Sequence, residues 1–363
     1  MAFESTRDMN SVLQTRVDGN NPPDIVTSAQ VGQLTELVAN GDVLPLTDLV
    51  SAEALTHYPD SVLDIVKKDS TPYALMHASV LKGLVYYNPS HYDGPTDPKT
   101  WAELTAWTTA TAKEGHTPWC IALESGSASG WPATGWIEEL FLTSAGADAY
   151  DKWTRDEISW TSQEMKTAWE TFGAVAANED MVNGGPVAAI STNFIKGLLP
   201  MWSDPPRCSL AMQADWLPAT VSTRVEGIEV GKTIDFFIAP PVKPENEGLI
   251  EISGNILAAF KDSPEVRAFM EYMASPEAQN LVAQTGLWLP TNSAVADDAF
   301  PSPDRLAQAQ IIKESTGVFF DASDTMPSAE NEAFWAATLE YVDDPTQLDT
   351  ILADLEKIRL TNR

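Results

Sequence analysis

The stretch Trp119-Cys120-Ile121-Ala122-Leu123-Glu124-Ser125-Gly126-Ser127-Ala128-Ser129-Gly130-Trp131-Pro132-Ala133-Thr134-Gly135-Trp136-Ile137-Glu138-Glu139-Leu140-Phe141-Leu142 decides how the chain is read. Cys120 to Leu123 is a short apolar run of strand type, Glu124 to Gly130 is a loop of small residues, and Trp136, Ile137, Leu140 and Phe141 recur at helical spacing. The pattern predicts strand, flexible loop, helix. Open α/β sheets bind small polar ligands at such loops, because backbone N–H groups left unpaired at a helix start can meet a ligand's oxygens. Trp131 stands at the mouth of this loop.

Two enzymatic motifs fail on spacing in the chain. A nucleophile elbow needs Gly-x-Ser-x-Gly, but between Gly126 and Gly130 the central residue is Ala128. A phosphate loop needs a glycine five residues ahead of Gly-Lys-Thr, and ahead of Gly231-Lys232-Thr233 that position holds Glu226.

The whole chain sets wider bounds. Its 363 residues suffice for two lobes or domains with a sizeable core. With 22 Lys and Arg against 52 Asp and Glu, the net charge of −30 repels phosphate backbones and anionic lipid surfaces, so nucleic acid is excluded as an expected partner. No apolar run reaches the roughly 18 residues of a membrane span. Met1-Ala2-Phe3-Glu4 runs straight into a strand-like segment without a basic or apolar leader, so as written the sequence reads as cytosolic, processed or truncated. Cys120 and Cys208, far apart, make neither a CxxC pair nor a zinc quartet, leaving a disulfide or two buried thiols. The four histidines, His57, His77, His91 and His116, lack metal spacing and read as surface or hydrogen-bonded residues, so neither a metal nor a cofactor is expected.

In order along the chain, Thr6 to Val17 reads as a helix, Asp24-Ile25-Val26 as a strand, and Val31 to Val38 as a second helix with Gly41 at its C′ position. Thr71 to Met76 and Gly83 to Tyr87 are strand candidates, separated by an irregular His77–Lys82 segment. Thr100-x-x-Glu103 and Thr161-x-x-Glu164 are capping boxes. Met201 to Pro218 reads as a loop excursion rich in proline and tryptophan, and Phe236 to Ala239 as a strand. Ser263-Pro264-Glu265 and Ser275-Pro276-Glu277 each start a helix, with Ser at the N-cap and Pro at the first helical position. Gly286 to Asn292 is an extended segment carrying Trp288, and Ser328 to Leu360 is a helical tail.

Several segments together resemble the extracellular solute-binding proteins of sugar-importing ABC transporters, in particular the α-glucoside-binding branch of the maltose-binding-protein-like family. They are Glu4-Ser5-Thr6-Arg7-Asp8, Asn21-Pro22-Pro23-Asp24-Ile25, Thr117-Pro118-Trp119-Cys120, Glu124-Ser125-Gly126 with Gly130-Trp131-Pro132-Ala133-Thr134, Asp204-Pro205-Pro206-Arg207-Cys208, Ser263-Pro264-Glu265-Val266-Arg267, Ser275-Pro276-Glu277, and Met326-Pro327 with Ala333-Phe334-Trp335. The resemblance implies an α/β, two-lobed periplasmic-binding-protein fold of type II, the Venus flytrap, each lobe a mixed sheet flanked by helices. It places residues 1–77 and 254–322 in lobe 1 and residues 78–253 and 323–363 in lobe 2. Crossings are expected near His77–Ser79, Glu251–Ser253 and Phe320–Thr325, with sugar held in the cleft and closure stabilised by ligand. It pairs Cys120 with Cys208, and it implies a monomer, outside the cytoplasm as a periplasmic protein or cell-surface lipoprotein, that delivers its sugar to permease subunits.

Three departures from the family pattern stand out. Against the family pattern the sequence as written is expected to start after the signal sequence and the first strand and helix of lobe 1, which would leave an exposed edge beside a strand at Phe3–Ser5. Ser253-Gly254-Asn255 replaces a Gly-Gly-Asp, turning a carboxylate contact into an amide, and Trp288 with Leu289-Pro290-Thr291 replaces another aromatic followed by Ile-Ser-Pro.

A sugar site needs aromatic planes against C–H faces and polar side chains against hydroxyls. Trp131 and Trp288 are the aromatic candidates, and Arg7, Asp8, Gln30, Ser129 and Asn255 the polar ones, while Trp169 and Trp335 read as core. A glycoside hydrolase is the alternative, although nothing marks a catalytic pair among the acids. A cytosolic sugar sensor rests only on the missing export signal.

Overall fold

A computed structural model describes residues 2–6 and 8–361. The chain divides into two compact units. Unit 1 comprises residues 1–81, 252–313 and 324–328, and unit 2 comprises residues 82–251, 314–323 and 329–363.

In unit 1 the strands β1 (Ile25–Ser28), β2 (Leu75–Leu81) and the far part of the long β6 (Leu249–Ala259) make an antiparallel sheet with β6 in the centre. Leu75 and Leu257 pair across it and pack on Leu46, Val266 and Met270, which anchors the Ser263-capped helix Pro264–Ala274 to the sheet. β1 borders a cavity of about 860 Å³ lined partly by Phe3, Met9, Leu13 and Phe269. Residues 2–6 form no strand, contrary to expectation, and Phe3 is 82% exposed: among the described residues no strand pairs with the segment, whose Glu4 carboxylate instead accepts from Arg16 at 2.8 Å.

The supposed irregular segment at His77–Lys82 is also corrected. β2 runs through it to Leu81, with a bulge at His77 where the register against β6 slips between Met76 and Ala78. A bulge breaks the alternation a sequence reader looks for while leaving the strand paired.

In unit 2, β3 (Leu84–Tyr87) lies between β4 (Leu210–Gln213) and β5 (Asp235–Ile238), antiparallel to both. All four β3 residues are buried, as expected of a central strand covered on both faces. β4 lies inside the stretch that reads as a loop: its strand character comes from pairing Leu210 with Tyr87 and Met212 with Val85, not from local pattern. The Cys120–Leu123 run is extended and buried but is not a regular strand. It is held by a parallel bridge from Trp119 to Leu210, by Cys120 N–H donating to Leu210 O at 2.7 Å, and by a disulfide from Cys120 to Cys208 with Cα atoms 5.4 Å apart. β7 (Gly317–Phe320) pairs with β6, which draws residues 314–323 into unit 2, whereas lobe 1 was expected to continue to residue 322.

The core of unit 2 is aromatic. Trp119 and Trp136 meet edge to face at 4.9 Å, Trp160 and Phe334 at 4.7 Å, and Trp169 is fully buried. The expected single helical tail is two helices, Ser328–Asp343 and Leu348–Thr361, because Pro345 after Asp344 cannot continue the first. Among the described residues, no helix is long and apolar enough to cross a membrane.

Candidate functional site

The Glu124–Gly130 loop of unit 2 is a cross-braced turn. Ser129 Oγ accepts from Ser125 N–H at 2.9 Å and donates to Gly126 O at 2.7 Å, while Gly130 N–H returns to Leu123 O at 2.9 Å. Glu124 accepts from Gly126 N–H at 2.7 Å through Oε1 and from the Asn193 side-chain amide at 3.3 Å through Oε2. Its backbone carbonyl accepts from Phe194 N–H at 2.9 Å, so the loop and the Asn193–Phe194 segment are stitched together.

The helix Trp131–Ala145 starts where the loop ends, at Gly130 with φ +106°. A Cβ at Gly130 would lie 2.1 Å from Trp335 O, so glycine is required twice over, by the left-handed backbone and by the close approach. Trp131, half-buried, packs edge to face on Phe194 with ring centroids at 5.2 Å, and Trp216 joins them at 6.4 Å from Trp131 and 6.1 Å from Phe194. The three rings are packed against each other, so they cannot wrap a cation placed among them. What they can offer is an apolar face next to the braced loop, of the kind that packs on a sugar's C–H face.

Of the expected site residues, Trp131 and Ser129 lie in this loop region, with the Ser129 hydroxyl occupied inside the loop. Phe194 and Trp216 carry no local motif in the sequence, and only the fold brings them to Trp131.

Unit 1 holds the others. Gln30, half-buried, directly precedes the helix Val31–Asn40 and donates its amide to Asp324 Oδ1 at 2.9 Å. Asn255 is half-buried in β6 opposite Ala78, and Trp288 is half-buried next to Leu289, which bridges to Ser79 of β2. Asp8 is exposed at the N-terminus of the helix Met9–Asp18 and makes no capping hydrogen bond with its side chain. Arg7 lies outside the described residues.

His77, at the β2 bulge, is a further polar group of unit 1. Its Nε2 is 3.1 Å from Thr27 Oγ1, its Nδ1 is buried without a hydrogen-bond partner among the described residues, and burial pushes the imidazole down to about 4. It is therefore neutral at neutral pH.

A second polar cluster lies deep in unit 2. Three acids, Glu138, Glu251 and Asp321, place oxygens within 4.8 Å of one another, but the Lys82 ammonium stands among them. All are buried, so they cannot flank a glycosidic bond as a hydrolase's carboxyl pair must.

Comparison with known proteins decides the family. Residues 3–280 match the family of bacterial extracellular solute-binding proteins. The chain belongs to that family. It is 34% identical to the alpha-glucosides-binding periplasmic protein AglE of Rhizobium meliloti, over 98% of this chain and 80% of that one. It is 32% identical to the osmoprotective compounds-binding protein GgtB of Synechocystis sp., over 94% of this chain and 81% of that one. A solved structure of a chitin oligosaccharide binding protein superposes with a TM-score of 0.81 at 18% identity, over 99% of this chain and 89% of that chain, which shows a common fold. The family binds and hands on solutes and is not an enzyme family, so the hydrolase alternative finds no support.

Proposed function

We propose that this chain is the substrate-binding component of an ABC importer for a neutral sugar or small oligosaccharide, α-glucoside-like, which it delivers to permease subunits. The observation that carries this is the Trp131–Phe194–Trp216 ring cluster beside the braced Glu124 loop. Apolar planes suit the C–H faces of a sugar ring, and the polar groups of the adjoining loop suit its hydroxyls. The names of AglE and GgtB, which point to α-glucosides and to osmoprotective compounds, support the same ligand class. In this proposal the ligand contacts are Trp131, with Phe194 and Trp216, and the candidates Gln30, Asn255, Trp288, Asp8 and Arg7. The protein works outside the cytoplasm, in the periplasm or as a cell-surface lipoprotein, as a monomer.

The test is a thermal-shift screen against mono-, di- and trisaccharides, followed by titration calorimetry. Stoichiometric binding at about micromolar Kd, roughly −8 kcal/mol, is expected for the cognate sugar. A folded protein that none of these sugars stabilises would remove the proposal.

A further inference from the structure

Among the described residues, Lys82 is the one basic group in ion-pair contact with the acids it meets. Its Nζ contacts Asp321 Oδ2, lies 2.7 Å from Glu251 Oε1 and 3.7 Å from Glu138 Oε2. Glu139 is buried on the same stretch of helix and reaches the backbone at Gly83, where an added Cβ would lie 2.7 Å from its carboxylate. Gly135 leaves room for the lysine, since a Cβ there would lie 3.1 Å from Nζ. Ser323 closes the far side: its hydroxyl donates to Asp321 Oδ1 at 2.7 Å, and its N–H donates to Glu138 Oε1 at 3.2 Å. Tyr150 is a further titratable group at the cluster, with its hydroxyl donating to Phe320 O and accepting from Ala322 N–H, both at 3.1 Å.

One ammonium cannot neutralise four buried carboxylates, and a buried charge without a partner is strongly unfavourable. Asp321, in contact with the ammonium and accepting from Ser323, is the acid best placed to stay ionised. Glu251 Oε2 has no hydrogen-bond partner among the described residues, and Glu139 Oε2 has none either. Those two acids, with Glu138 against Asp321, are the ones that must carry protons.

The cluster also has a particular place in the chain. Lys82 follows the passage from unit 1 at Leu81, Glu251 precedes the return at Ile252, and Asp321 stands just before the passage at Ser323 to Asp324. The two glutamates that complete it come from the helix that starts at Trp131.

We infer that Lys82, Glu138, Glu139, Glu251 and Asp321 form a proton-operated clasp, which holds three chain passages to the Trp131–Ala145 helix while its glutamates are protonated and slackens when they ionise. Burial raises Glu139 to about 7 and Glu251 to about 8, and burial with the neighbouring acids raises Glu138 well above the carboxylate range. Burial alone would raise Asp321 as well, but the Lys82 charge, with hydrogen bonds from Glu138, Lys82 and Ser323, outweighs it and leaves the group lowered.

The signs follow. A glutamate protonated in the fold but ionised when unfolded gives stability that is full below its ordinary value and is lost as pH rises through the folded value, hence from about 4.5 to about 8. Asp321 acts oppositely and costs stability only on acidification below its ordinary range. The clasp is therefore tightest in mild acid. In a protein of an extracellular family it would follow the pH of the surroundings.

The experiment compares the intact protein with Glu251→Gln, whose amide mimics the protonated acid. Melting temperatures are measured from about pH 5 to about pH 8.5, where the acid titrates. The wild-type Tm should fall by several degrees more over that range than the variant's, and parallel curves would overturn the clasp. Infrared spectra of the wild-type protein supply a readout that needs no variant. A protonated-carboxyl C=O band should persist at neutral pH and lose intensity as pH rises past about 8. Its absence at neutral pH would overturn the inference even if Glu251→Gln failed to fold, and Glu139→Gln then repeats the Tm comparison.

Discussion

The helix Trp131–Ala145 carries two polar neighbourhoods of opposite character. At its first turn a half-buried tryptophan joins Phe194, Trp216 and a braced loop carboxylate that keeps contact with solvent; two turns on, Glu138 and Glu139 are wholly buried around one lysine. The chemistry available is similar in both places, since each has carboxylates within reach of aromatic or apolar walls. Solvent access separates them. Where water reaches, Glu124 can exchange water for a ligand's hydroxyls at little net cost, whereas the buried acids must find protons or a cation within the protein. The first neighbourhood suits a site, and the second suits a structural device whose state depends on pH.

Removing the cation should break this contrast most severely. Lys82→Met leaves Asp321 ionised without its partner, and breaking a buried pair from one side costs about 3–5 kcal/mol. Denaturant unfolding should show the loss larger at mildly alkaline than at mildly acid pH, where the glutamates are already neutral. A loss of the same size at every pH would mean that the lysine matters only through packing.

Next in size is the disulfide, which tethers the exposed end of the contrast by fixing Cys120, four residues before Glu124, to Cys208. Closing a loop with a sequence separation of 88 contributes at most about 4–5 kcal/mol on the chain-entropy model. Reduction or Cys208→Ser should lower the Tm accordingly. Both thiols found free after oxidative export would refute the bond.

The ring cluster should respond differently. Trp131→Ala and Trp216→Ala are each expected to weaken sugar binding about ten- to a hundredfold, on the order of 1.5–3 kcal/mol, with far-UV circular dichroism unchanged. Trp288→Ala in unit 1 tests the other aromatic candidate by the same titration. A variant that binds normally removes its residue from the site, and one that unfolds places its residue in the core.

Local chemistry made much of this fold legible in the sequence. Ser263 and Ser275 accept from Val266 N–H and Ala278 N–H as their Ser-Pro-Glu signatures require, and Gly41 ends its helix in the left-handed conformation. Thr161-x-x-Glu164 marked the right helix one residue early, because Ser162 takes the cap and accepts from Met165 N–H. Neighbouring hydroxyls compete for one role, and sequence spacing does not rank them. β4 was missed because its identity lies in a partner more than a hundred residues away. The clasp was illegible for the same reason. Glu251 and Asp321 each fall at an expected crossing and Lys82 lies just past the one near His77–Ser79, where charged residues ordinarily face water. The one hint was Glu138-Glu139 inside a run otherwise too apolar to have a solvent face. At the candidate site, Trp131 was found through its loop context, whereas Phe194 and Trp216 have no such context and depend on tertiary packing alone.

The smallest expected effect draws the line within the exposed neighbourhood itself. Ser129 was a ligand candidate by its place in the loop, yet its hydroxyl already accepts from Ser125 N–H and donates to Gly126 O. A serine hydroxyl has one proton to give, and here it is given to the loop, so toward a sugar it keeps only a lone pair. Ser129→Ala should therefore cost about 1 kcal/mol of stability, the ordinary worth of an intramolecular hydrogen bond, while sugar affinity falls less than threefold. Ser129→Thr, which restores the hydroxyl, should recover the stability if the extra methyl fits. An affinity loss matching that of Trp131→Ala, with stability unchanged, would reverse the assignment: Ser129 would then belong with the rings as a ligand contact, and the loop would owe its shape to Gly130 and Glu124.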